Sequence, residues 1–136
     1  MHGSHDWISS SGSSIKVIGG GKKDKIEGEP ILDFYFKFFK SLLSNKDNKM
    51  LIIGYGFRDE HINSALADAV KNQNLKIYVI SPQNPEDFRN NILINYASDI
   101  WKGISGYYPY SLKEFLSSNR CIQALLRSVF IDSHVK

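Results

Sequence analysis

Residues 49–63, KMLIIGYGFRDEHIN, decide the fold. Met50 to Ile53 are apolar without interruption, which suits a strand covered on both faces, as in a parallel sheet. The run stops in Gly54, Tyr55, Gly56 and Phe57, and the chain passes into DEHINSALADAVKN. There Ile62, Ala65, Leu66, Ala69 and Val70 recur at i, i+3, i+4, i+7 and i+8, the spacing of an amphipathic helix. A second strand, LKIYVIS, follows at residues 75–81, and Asn84 with Pro85, Glu86 and Asp87 opens another helix. This β-α-β-α order, with crossovers of helical length, predicts parallel strands.

Upstream of this block, SSSGSS (Ser9 to Ser14) reads as a loop and SIKVIGG as a short strand ending at Gly19. Residues Gly19 to Pro30 are rich in glycine and charge and form a further loop, after which Pro30 suits the first turn of a helix. In ILDFYFKFFKSLLS the polar residues Asp33, Lys37, Lys40 and Ser44 make one narrow stripe, so this helix is expected to pack deeply against something large. Downstream, GISGYYPY reads as an aromatic loop. Ser111 and Glu114 form a capping box before a short helix, and Asn119 caps a last one with Ile122, Leu125, Leu126, Val129 and Phe130 on its inner face. The expected fold is α/β: a Rossmann-like parallel sheet of about three strands with flanking helices, resembling the second half of a larger doubly wound domain. Residues 1–110 make up this part and residues 111–136 a C-terminal helical tail.

At 136 residues with 42% hydrophobic content, the chain fits one domain with a real core. Net charge is only +3 and the lysines are scattered, so nucleic acid is not an expected partner. The dense run Lys22 to Lys25 is broken by Asp24 and reads as a solvated loop. The single cysteine, Cys121, excludes an intrachain disulfide and a C-x-x-C zinc site, and its apolar surroundings suggest a buried thiol. ILDFYFKFF is interrupted by Asp33 and Lys37, so no membrane span is expected and the chain reads as cytoplasmic.

The glycine turn offers one candidate site. Glycines let a phosphate approach the backbone, and a following helix N-terminus presents N–H groups with a favourable dipole. G-x-G-x-x-G would need glycine at Asp59, however, and Asp59 and Glu60 would repel a phosphate held directly there. A tight strand-to-helix turn with no ligand is the competing reading. His61 beside two acids lacks a second histidine at helical distance and reads as a surface or interface residue. His2 and His5 lack further ligands, and His134 lies in a terminal segment. Gly3, Ser4 and His5 also match a common cloning remnant, with no part in the fold.

HGSHDW (residues 2–7), IKVIGG, MLIIGYGFRDEHIN and LKIYVIS, in this order, resemble the C-terminal half of sirtuin-like NAD-binding domains, in particular the prokaryotic branch lacking a zinc module. The likeness covers about Met1 to Pro109, and GYGFRDEHIN is its specific element. It implies NAD as cofactor or substrate, no zinc, and His2 as the active-site base acting on the nicotinamide ribose hydroxyls. Gly54, Tyr55, Gly56 and Phe57 would lie against the dinucleotide, and Ser81 would meet the adenosine ribose. Position 56 is glycine where relatives commonly carry serine, and the family's Gly-Ala-Gly and Gln-Asn-Xaa-Asp motifs are not in this sequence. With no cysteines between the HG motif and the turn, the resemblance points to NAD⁺ hydrolysis, as in bacterial defence, more than to protein deacylation. A non-catalytic nucleotide-binding or scaffold module is the alternative. The implied partners are a dinucleotide, a missing N-terminal half and a second copy of the chain.

Overall fold

The computed structural model describes residues 3–9, 12, 14–16, 28–94, 98–117 and 119–127. They fall into two compact units, Met1–Ser44 and Asn45–Lys136.

In the first unit, β1 (Gly3–Ile8) pairs antiparallel with β2 (Ser14–Lys16). The pairing runs from Gly3 opposite Lys16 to Ile8 opposite Ser14, so the longer strand carries extra residues as a bulge. The expected strand over Ser14 to Gly19 is therefore present at its start, with residues 17–19 outside the described set, and its pairing is antiparallel. Helix α1 (Pro30–Leu43) begins at its proline as expected, with the Leu32 and Asp33 N–H groups donating to Glu29 O. The polar stripe forms, and Lys37 reaches Asp33 at 2.7 Å. The expected deep packing forms only in part. Leu32 and Leu43 are buried, whereas Phe34 is 62% and Phe38 52% exposed, their rings stacked at 6.5 Å. Ile31, Phe34, Tyr35, Phe38 and Leu42 make a second apolar face at helical spacing, and it stays open to solvent.

The second unit holds the three-stranded parallel sheet, flanked by helices. The strands are β3 (Lys49–Ile53), β4 (Lys76–Ile80) and β5 (Ile104–Tyr108), hydrogen-bonded in the order β3-β4-β5. Helix α2 (Glu60–Gln73) makes the first crossover, and α3 (Pro85–Ile94) with α4 (Ser98–Gly103) makes the second. Both crossovers step in the same direction, which for right-handed connections brings their helices to one face, and α4 packs against both α2 and α3. Central β4 is buried from Ile77 to Ile80, as a strand covered on both sides must be. Tyr78 and Ile80 form a cluster with Phe115 of α5 (Leu112–Ser117), and Leu51, Tyr108 and Ile122 of α6 (Asn119–Leu126) pack against it. Strand alternation puts Ile77 and Val79, both buried, on the opposite face.

The third parallel strand is thus not the IKVIGG segment but β5, drawn from the stretch expected to be an aromatic loop. Ile77 pairs with Ile104 and Tyr78 with Gly106, so Ser105 is an extra residue in a bulge. A Cβ on Gly106 would lie 2.8 Å from Tyr78 Cδ1, which is why glycine stands there. Helix α2 matches its predicted face: Ala65, Leu66 and Ala69 are buried, with Ile62 and Val70 half-buried. It stops at Asn74, whose φ of 57° is left-handed. The caps at Asn84 and Ser111 also form as read, whereas Asn119 is itself the first residue of its helix. Asn84 Oδ1 accepts from Glu86 N–H at 2.8 Å, Glu114 Oε2 accepts from Ser111 N–H at 2.9 Å, and Ser111 Oγ accepts from Glu114 N–H at 3.2 Å. No helix among the described residues is long and apolar enough to cross a membrane.

Candidate functional site at the carboxyl ends of two parallel strands

Where β3 ends, the chain turns sharply. Gly54 has φ +66°, a torsion that L side chains rarely adopt, although a Cβ there would meet nothing within 4 Å. Phe57 also has a positive φ, +53°, at a cost of roughly 1–2 kcal/mol for a residue with a Cβ. Burial offsets it: Phe57 is 3% exposed, its ring 4.8 Å from Tyr55 and 5.6 Å edge-on to Phe88. Asp59 follows in extended conformation as the N-cap of α2, and its carbonyl accepts the Asn63 N–H at 2.9 Å.

The turn forms one wall of a cleft of about 320 Å³. The loop after β4 (Ser81, Pro82, Gln83) and one face of α3 (Phe88, Asn91, Ile92) complete it. The loop is tied down on both sides. Ser81 N–H donates to Tyr108 O at 3.2 Å, Ser81 Oγ accepts from Gln83 N–H at 3.4 Å, and Tyr107 OH donates to Gln83 O at 2.7 Å. Gly54, Tyr55, Gly56, Phe57 and Ser81, singled out from the sequence, all line this one cleft. His2 lies outside the described residues, and His5 is a β1 residue.

Charge at the cleft differs from the sequence expectation. Asp59 and Glu60 are not among the lining residues, and Asp59 is buried at 8% exposure. Among the described residues, Arg58 is the only ionised side chain that lines the cleft. The expected repulsion of a phosphate thus gives way to one cation, beside glycines with open space above them. The Tyr55 hydroxyl is held far above the ordinary tyrosine range, first by burial and then by the nearby Asp59 carboxylate, with the hydrogen bond to Asp59 O acting weakly in the other direction. It therefore remains a proton donor throughout the physiological range.

Sequence reasoning missed Arg58, Gln83, Phe88 and Asn91. Arg58 follows the glycine turn directly, and Phe88 and Ile92 stand four apart on α3, so both were discoverable once the turn had been placed beside that helix. The remaining candidates sit apart. His61 is half-buried in the first turn of α2, Cys121 lies in α6, and His134 is outside the described residues. No group of three or more potential metal ligands occurs among the described residues. A second depression, of about 520 Å³, opens at the other end of the sheet between Lys71, Lys76, Lys102, Asp99 and Gly103. Its Lys102 is paired with Asp99 at 2.7 Å on the exposed surface.

A parallel sheet with a glycine-containing turn and cleft at its carboxyl end defines a Rossmann-like α/β protein. The family model of the SIR2-like domain matches residues 1–101, and the chain belongs to that family. No curated protein matches the chain, and no solved structure does. Membership implies involvement of NAD, and the described lining residues fit such a group: room at two glycines, with Arg58 as the one cation and no carboxylate among them.

Proposed function

We propose that the chain binds NAD⁺ in the cleft between the Gly54–Phe57 turn and Ser81, as the second half of a cytoplasmic, zinc-free NAD⁺ glycohydrolase of the bacterial-defence type. The observation that carries this reading is the convergence of two segments chosen from the sequence, the Gly54–Phe57 turn and Ser81, on one cleft with Arg58 as the only charge among the described residues that line it. Gly54 and Gly56 admit the diphosphate, Arg58 balances it, and Ser81 faces the adenosine ribose. His2 accepts a proton from a nicotinamide-ribose hydroxyl. NAD⁺ itself supplies the glycosidic bond to nicotinamide that water replaces. The sequence supports the zinc-free branch, since its sole cysteine lies far beyond the turn.

Size and topology favour a divided site. A cleft of about 320 Å³ is at the lower end of the roughly 300–1,000 Å³ range of ligand sites, and suits part of a dinucleotide. The three strands run in sequence order, so the reversal that marks ligand sites in open sheets would fall beyond edge strand β3, beside the cleft. A first half bearing the Gly-Ala-Gly and Gln-Asn-Xaa-Asp motifs would complete it there. A second reading, a nucleotide-binding module without catalysis, is favoured by one feature: among the described residues, no histidine or carboxylate lines the cleft. Incubation with NAD⁺, followed by chromatography for nicotinamide and by calorimetric titration, separates the two. Release of nicotinamide when the first half is supplied supports the hydrolase, binding without release supports the module, and neither binding nor release rejects both.

A further inference from the structure

Asn63 is polar, yet it occupies the buried face of α2 at 3% exposure. Its Nδ2 donates to Phe57 O at 2.8 Å, and its Oδ1 accepts from Tyr55 OH at 2.9 Å. The assignment of the amide is forced, because a carbonyl only accepts and the NH₂ group must face Phe57. The oxygen must then face Tyr55, whose hydroxyl has a second acceptor in Asp59 O at 3.3 Å. The Tyr55 proton is therefore committed to acceptors on α2 and its N-cap. One side chain thus grips the turn at two points two residues apart. One of these is the carbonyl of Phe57, the residue whose backbone is held in the left-handed region.

We infer that Asn63 is the positioning residue of the nucleotide cleft: its amide, which does not line the cleft, holds the Gly54–Phe57 turn in its ligand-ready shape from beneath. The inference rests on the dinucleotide reading for its ligand, and on the hydrogen bonds alone for its effect on the turn. Affinity for NAD⁺ should then depend on a residue that never touches it.

The test uses the full chain, ¹⁵N-labelled, with amide exchange followed residue by residue and NAD⁺ titrated in the same samples. Asn63→Ala removes two buried hydrogen bonds, each worth up to about tenfold, and should speed exchange across residues 54–58 and weaken NAD⁺ binding by about tenfold or more. Exchange in β4 should change far less. Asn63→Asp adds a readout that packing alone would not move. As a carboxylate it cannot donate to Phe57 O, but as a neutral acid it donates to Phe57 and still accepts from Tyr55. Its affinity should be low at neutral pH and recover on acidification. Wild type, with the same Tyr55, Asp59 and His61 neighbours, controls for their own titration. If Asn63→Ala does not fold, Tyr55→Phe, which removes the hydroxyl with its bonds to Asn63 and Asp59 and leaves the Asn63–Phe57 bond, carries the same exchange test. Unchanged exchange at residues 54–58 in the folded variants would overturn the inference, as would losses spread evenly over the sheet with no recovery in Asn63→Asp. A wild-type chain indifferent to NAD⁺ would instead reject the dinucleotide reading, and the exchange data would still decide whether Asn63 holds the turn.

Discussion

The parallel sheet carries a depression at each end, about 320 Å³ beside the Gly54–Phe57 turn and about 520 Å³ beside Lys76. Each contains glycine, for opposite reasons. At Gly54 there is space for a side chain and the backbone torsion disfavours one. At Gly103 the space itself is missing: a Cβ would fall 2.4 Å from Val70 Cγ2 and 3.0 Å from Leu75 O. The first glycine leaves a wall low for a visitor, whereas the second lets α4 close on α2. The larger depression thus lies over a tight helix contact with lysines around its rim, and the smaller one has the features of a site.

Three outcomes would break or sharpen this contrast. The largest effect is expected at His2. In protein supplied with the first half, His2→Ala should lower NAD⁺ turnover by about 10²-fold or more, the usual worth of a positioned base. His5→Ala should cost far less, and replacing Lys71, Lys76 and Lys102 together by alanine should leave turnover unchanged. A lysine variant that lost turnover would move the chemistry to the wrong end of the sheet.

Next come the two glycines. Gly103→Ala should destabilise the fold by about 1–3 kcal/mol, as overpacking does. A lowered thermal midpoint with NAD⁺ affinity kept in the folded fraction would be the signature. Gly54→Ala should cost about 1–2 kcal/mol through its torsion and should also weaken NAD⁺ binding. Equal behaviour of the two variants would erase the distinction drawn here.

The smallest effect lies away from both ends, at the start of α5. Glu114 is held below its ordinary pKa of 4.5 by the Ser111 hydroxyl first and the Ser111 N–H second. Because the folded value lies below the unfolded one, the cap contributes fully above about pH 4.5 and fades as the folded carboxylate protonates below it. The stability difference between wild type and Glu114→Gln should be level at neutral pH and shrink in acid. A difference that persisted in strong acid would show that charge is not what the cap uses.

The sequence makes most of the site legible and one strand of the fold illegible. The glycine turn, the α2 face and the caps at Asn84 and Ser111 are local patterns, each set by torsion or hydrogen bonding within a few residues. Strand β5 is disguised because Ser105 and Gly106 break its alternation and Pro109 suggests a loop, while its register is set by Tyr78, distant in the chain. Conversely, the narrow polar stripe of α1 suggests deep packing of the rest of its surface, yet an apolar face is open. Asn63 is legible only as an interruption of an apolar face. Its meaning comes from Tyr55, eight residues earlier, once the turn has folded back over the helix.

The bulge at Ser105 makes the cleft sensitive to length as well as to identity. With that extra residue, Tyr107 pairs opposite Val79 and Tyr108 opposite Ile80. Tyr107 then packs 4.6 Å from Phe88 and holds Gln83, while Tyr108 joins the cluster on the other face. Remove one residue, and every side chain beyond it changes sides. Two adjacent tyrosines make such an exchange hard to notice in composition, since nothing is gained or lost but place. For this strand a single-codon deletion, silent for the reading frame of the gene, would be a frameshift of the sheet.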